Sequence, residues 1–182
     1  MARVQYVTRE DLPEDKQHIY DRIAGTRGVV VNMFRSLLNS PDICGRVSQL
    51  GEYIRYNSPL DPAVREIAIL ATARECGSEY EWSQHEPVAR EAGVTEEVLD
   101  AIRSGRAPMG IPPRQGVFVQ AAKELLRDGT LSDVTFQAVE HLVGPLQTVD
   151  LIVLVGYYAM IARAIRALGV ELEEGKESSL KV

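Results

Sequence analysis

The stretch EIAILATARECGSEYEWSQH, residues 66–85, constrains this chain more than any other. Its first half sets Ala63, Ile67, Leu70, Ala71 and Arg74 at helical spacing, with Ala68, Ile69 and Ala73 on the flanks. That pattern predicts an apolar helix. Pro62 fits the first helical position behind Asp61, an acceptable N-cap, because the amide it lacks would go unpaired there. Gly77 suits the left-handed residue that closes a helix. A second helix restarts at once. Ser78, Glu81, His85 and Val88 recur at spacings of three, four and three, which places them on one helical stripe. Glu81 and His85 are a turn apart on it, Tyr80 and Trp82 flank it, and Glu66 faces it if the two helices fold together.

The rest of the chain reads as helix too. A helix with Ile19 and Ile23 inward runs to Gly25, and a short one covers 33–39. Residues 29–31 are too brief for a strand and have no partner. Ile43, Val47, Leu50 and Ile54 mark the inner face of a helix from Asp42. Beyond the motif, Thr95 caps a helix burying Val98, Leu99 and Ile102. The stretch GRAPMGIPPRQG is a long loop, suited to covering a site or meeting a neighbouring subunit. A helix with Phe118, Ala121, Ala122, Leu125 and Leu126 follows. Ser132 then caps one burying Val134, Ala138 and Leu142. The last helix runs from Pro145 to Gly169 and is apolar nearly all round over 151–161. A helix with no polar face is enclosed, so a second subunit is expected to cover part of it. The reading is one all-α domain with a core at about 13–170, an N-terminal arm at 1–12 and a charged, frayed tail at 171–182.

Composition narrows the function classes. A net charge of −6 and the lack of any basic run argue against nucleic-acid binding. The N-terminus lacks the apolar core of a secretory signal, and the longest uncharged run, 151–162, falls short of the about 20 residues a bilayer needs. Two cysteines, Cys44 and Cys76, without a CxxC pattern fit a reducing cytoplasm. The expectation is a cytoplasmic protein with no membrane partner.

Glu66, Ser78, Glu81 and His85 also fall on a known pattern. A glutamate, eleven residues, a cysteine, two residues, a second cysteine, three residues and a histidine mark the carboxymuconolactone decarboxylase and alkylhydroperoxidase-D superfamily. The chain resembles that family with Ser78 and Glu81 in place of both cysteines. Glu79, Tyr80 and Trp82 match its context, and the likeness continues through HEPVAREAGVTEEVLDAI and LQTVDLIVLVGYYAMIARAIRALGV. The resemblance implies an all-α alkylhydroperoxidase-D-like fold, a homo-oligomer (trimer or hexamer), a small-molecule substrate and no cofactor.

The altered positions redirect the chemistry. Peroxide reduction by a thiol enzyme needs a thiolate and a second, resolving thiol. Ser78 and Glu81 supply neither, which disfavours a peroxidase-like function. What remains is an acid–base set, with Glu66, Glu81 and His85 as catalytic candidates and Ser78, Tyr80 and Trp82 as substrate contacts. Resemblance to the family's decarboxylase branch implies that this set protonates the carbon left when a carboxylated lactone loses carbon dioxide. An anionic substrate wants a cation, and Arg55, Arg65 and Arg74 are near in sequence. A purely structural reading stands beside this. Ser78-x-x-Glu81 matches a capping box, Glu66 suits the start of a helix, and His85 can be a satisfied core histidine in a non-catalytic oligomeric relative. Two carboxylates and one histidine can also hold a divalent ion, but no second histidine lies close by, so no metal is expected.

Overall fold

The computed structural model describes residues 2–105 and 111–181, and all regular structure among them is helical. A short 3₁₀ turn (Glu14–Lys16) leads into α1 (Gln17–Arg27), α2 (Asn32–Leu37) and α3 (Pro41–Glu52), which runs on into a π-turn (Tyr53–Asn57). Then come α4 (Pro62–Cys76), α5 (Glu79–Glu91), α6 (Glu96–Ser104), α7 (Pro113–Arg127) and α8 (Asp133–Leu168). Residues 106–110 of the expected covering loop lie outside the described residues, and its last residues, 113–116, form the start of α7. The helices gather into two compact units, Met1–Asn57 with Ala164–Lys176, and Ser58–Arg163 with Glu177–Val182.

In the first unit α1 and α2 pack on α3. α1 runs past Gly25 and closes at Gly28, in the left-handed region with φ 76°. The inner face of α3 is not the expected one. Ile43 and Leu50 are 55% and 41% exposed, while Cys44, Ser48 and Gly51 are buried. Ile19 of α1 packs over Gly45, where an added Cβ would be in ordinary contact at 3.6 Å. The N-terminal arm is docked, since Val7 and Leu12 are buried and the Val7 amide donates to the Arg35 carbonyl.

The second unit is built on α4, in which every residue from Glu66 to Ala73 is buried. α5, α6 and α7 pack around it. Its start and stop are those the sequence predicts. The Asp61 side chain accepts from the amides of Ala63 and Val64, and Gly77 (φ 63°) closes the helix. α8 breaks at Gly144 (φ 78°, ψ 169°), just before Pro145. The residue preceding a proline is excluded from helical geometry and proline donates no amide, so the break sits where both restrictions meet. Before the break Val134 is 79% exposed, and Thr135 and Val139 are the buried side instead. Ser132 Oγ accepts from the Thr135 amide, and Thr135 Oγ1 donates to Glu124 at 2.8 Å, which turns the helix by one position.

Beyond the break α8 has two faces. Leu151, Leu154, Tyr158 and Ile161 are buried, whereas Leu146, Val149, Val153 and Met160 are exposed. By length and composition alone α8 is sufficient to cross a membrane, yet half of its apolar window is buried within the protein. The expected frayed tail is also docked. Ser178 and Leu180 are buried, and the Leu180 amide donates to Ser178 Oγ.

Candidate active site

Glu66 projects from α4 toward α5, and Glu81 and His85 from α5 toward α4. His85 Nδ1 stands 2.7 Å from Glu66 Oε2, and its Nε2 stands 3.6 Å from Glu81 Oε2. The imidazole thus lies between two carboxylates. Glu66, Glu81 and His85 are 1%, 4% and 3% exposed, so the cluster is nearly sealed within the chain. A neutral imidazole donates from one nitrogen only. With Nδ1 at hydrogen-bond distance from Glu66, Nε2 faces Glu81 across 3.6 Å, an ion-pair distance rather than a hydrogen bond.

The capping reading is met by half. Ser78 is the N-cap of α5 and its hydroxyl accepts from the Glu81 amide at 3.3 Å. The reciprocal bond of a capping box would go to the Ser78 amide, but that amide donates to the Ala73 carbonyl at 2.8 Å. The closing turn of α4 has taken the donor, and the Glu81 carboxylate faces His85 instead.

Two neighbours join the cluster, one of them among the three arginines near in sequence and the other not legible there. Arg65 Nε lies 3.4 Å from Glu66 Oε1, which places a cation beside the cluster. The buried Tyr158 of α8 meets His85 edge to face with ring centroids 5.0 Å apart. Sequence distance hid it, inside a run read only as apolar. Arg74 is occupied elsewhere and donates to the Arg103 carbonyl, while Arg55 lies over the Tyr56 ring in the first unit. Trp82 is fully buried; its indole N–H donates to Ser179 and the Arg103 guanidinium lies over its ring. Tyr80 is buried, and its carbonyl accepts from Ser83 Oγ.

The thiols are not poised for redox chemistry. Burial pushes the Cys44 thiol up to about 12 against a small pull from Arg27. Burial also raises Cys76, with Arg163 pulling it back. Among the described residues no three His, Cys, Asp or Glu side chains are arranged to hold a metal ion. A pocket of about 290 Å³ opens elsewhere, between the N-cap Asp61 and Val64 of α4, Arg114 and Phe118 of α7, and Leu142 and Gln147 of α8. Val64 and Glu66 point to opposite sides of α4, since two residues turn a helix by about 200°.

Residues 41–124 match the Carboxymuconolactone decarboxylase family. No curated protein matches the chain. Solved structures share its fold. A peroxidase-related protein with an alkylhydroperoxidase AhpD core from Ralstonia eutropha JMP134 superposes with TM-score 0.79 at 18% identity, over 95% of this chain and 93% of that one. A peroxidase-related protein from Silicibacter sp. TM1040 gives 0.77 at 13% identity, over 95% and 92%. The debrominase Bmp8, in complex with 2,3,4-tribromopyrrole, gives 0.71 at 14% identity, over 94% and 91%. With Glu66 and His85 brought together across α4 and α5 and no cysteine at positions 78 and 81, this chain shares the helical fold of the AhpD-core protein and is similar over residues 41–124 to the carboxymuconolactone decarboxylase family, without the paired cysteines.

Proposed function

We propose that the protein is a cofactor-independent acid–base enzyme acting on a small lactone or related oxygenated carboxylate, by decarboxylation or by proton transfer beside a carbonyl. The observation that carries this reading is His85 held between two buried carboxylates, 2.7 Å from Glu66 and 3.6 Å from Glu81. In a decarboxylation the bond to the carboxylate carbon breaks, carbon dioxide leaves, and the electron pair spreads into the unsaturated carbonyl. A proton from the cluster then reaches the carbanionic carbon and is restored from solvent, which requires the nearly sealed cluster to open to substrate. Arg65 offers the positive charge that an anionic substrate requires. A thiol-peroxidase reading is disfavoured, because Ser78 serves as a helix cap and burial raises both thiols. The test is a panel of γ-carboxylactones and β-keto acids, followed by carbon dioxide release and by deuterium uptake from solvent. Glu81→Gln keeps the helix cap and removes the carboxylate. A relay loses turnover and changes its pH profile; an unchanged rate sinks the assignment of Glu81.

The same proposal has the protein working as a homo-oligomer through α8. The exposed Leu146, Val149, Val153, Gly156 and Met160 alternate at spacings of three and four and carry no charge. That is the seam one helix offers another. Gly156 strengthens the case. A Cβ there would meet nothing within 4 Å inside the chain, and a glycine within a helix costs about 1 kcal/mol. The fold itself has no need of it, whereas a second α8 crossing closely does: in an antiparallel pair each Val153 would sit over the partner's glycine backbone.

A further inference from the structure

α5 contains a weak point next to its chemistry. Pro87 stands inside the helix and cannot donate to the carbonyl one turn back, so the backbone lacks a bond just after His85. Side chains close this gap. The Glu86 carboxylate is buried, with Arg103 at 2.6 Å and Arg90 at 3.0 Å, the latter pair spanning the proline. A third partner comes from the far end of the chain. Ser179 Oγ donates to Glu86 Oε2 at 2.7 Å and accepts from Trp82 Nε1 at 2.8 Å. One hydroxyl therefore ties together two residues a turn apart on α5. The burial of Ser178 and Leu180 on either side fixes the serine in place.

Trp82 and Glu86 each follow, by one residue, the pair Glu81 and His85. The stripe that Ser179 holds and the stripe that carries the chemistry occupy the same turn. Their geometry is coupled: a rotation of about 20° moves an atom about 6 Å from a helix axis by about 2 Å. Such a shift is enough to break the 2.7 Å contact between His85 and Glu66.

We propose that Ser179 is a positioning residue for the Glu66–His85–Glu81 cluster: by joining Trp82 to Glu86 it fixes the rotation of α5 that sets His85 between the two carboxylates. The inference rests on the acid–base reading for its meaning in catalysis, but its physical content is tested without any substrate. The full chain contains three histidines, so the ring nitrogens of His18, His85 and His141 can be followed by NMR in the ¹⁵N-labelled protein. Ser179→Ala and Trp82→Phe release the clamp from opposite ends, and either one that folds is sufficient. The expected result is a shift of the His85 ring signals in both variants, with His18 and His141 unmoved and with Ser179→Thr restoring the native pattern. Ser132→Ala, which removes a cap on α8, lowers the melting temperature and leaves the His85 signals in place. Unmoved His85 signals in the two clamp variants overturn the proposal. Once a substrate is found, Ser179→Ala lowers kcat about 10- to 100-fold with little change in KM, as a misplaced catalytic group does. If the His85 signals shift but Glu66→Gln leaves turnover intact, the acid–base reading fails and the clamp stands.

Discussion

Two buried carboxylate clusters share α5, and they are solved in opposite ways. Glu86 meets two guanidinium groups and a hydroxyl, all of which donate and none of which gives up its proton near neutral pH. Glu66 and Glu81 meet an imidazole, with Arg65 beside Glu66 at 3.4 Å. Burial raises the cost of a carboxylate's charge in both places. Permanent cations compensate for it at Glu86, which makes that site a fixed strut. The other cluster is built around an imidazole, a group that can gain or lose a proton, and the proposed acid–base role rests on that difference.

The contrast breaks most visibly at Glu66 and His85. Glu66→Gln and His85→Gln should each retain the fold by circular dichroism and lose turnover by about 10²–10⁴-fold, the usual contribution of a general acid–base group. If both variants melt early and no rate changes, the two clusters are alike and both are structural.

Assembly comes next. Light scattering at micromolar concentration should show an oligomer, and Gly156→Leu on the open face of α8 should shift it toward monomer while the chain stays helical. A native protein that is monomeric at that concentration defeats this expectation.

Glu86→Gln sharpens the contrast from the other side. Removing the charge takes one of two carboxylates from each arginine, since Arg90 keeps Glu96 and Arg103 keeps Asp100, at a cost of about 1 kcal/mol in chemical denaturation, given the partial exposure of both arginines. The pH dependence has a definite sign. Burial pushes the Glu86 carboxyl up, but the Ser179 hydroxyl, the Arg103 guanidinium and the charge of Arg90 outweigh it and hold it below its ordinary value of 4.5. A depressed carboxyl stabilises the fold above its unfolded value, and that stabilisation is lost as pH falls through the folded one. Stability should therefore decline below about pH 4.5 in the native protein, and less steeply in Glu86→Gln. An identical acid limb in both proteins would remove Glu86 from the account.

The smallest effect is expected at the thiols. Replacing Cys44 and Cys76 together by Ser should leave turnover within a few fold once any stability loss is allowed for. A collapse of activity, with a sulfenate trapped at Cys76, would restore the thiol reading.

Much of the fold was legible because its signals are local. Asp61-Pro62 and Gly77 start and stop α4, Ser78 starts α5, and the turn-by-turn spacing of Glu81 and His85 puts them on one face. These depend on backbone sterics and on groups within four residues, which the sequence contains. The inner faces of α3 and the first part of α8 were misjudged for a definite reason. Periodicity shows that a face exists, but the packing of α1 and α2 on α3 left Cys44 and Gly51 inside and Ile43 and Leu50 outside, and Thr135 bonded to Glu124 decided against Val134.

At the site the division is the same. The sequence by itself determined that Glu81 and His85 lie side by side, since the helical repeat requires it. Only the tertiary structure decided that Glu66 reaches the other imidazole nitrogen, that Glu81 turns to His85 rather than closing a cap, and that Tyr158 and Ser179 belong to the same neighbourhood. The amide that would have held Glu81 was taken by the Ala73 carbonyl. Contacts between residues far apart in the chain depend on how helices pack and rotate against one another, and no local repeat encodes that angle.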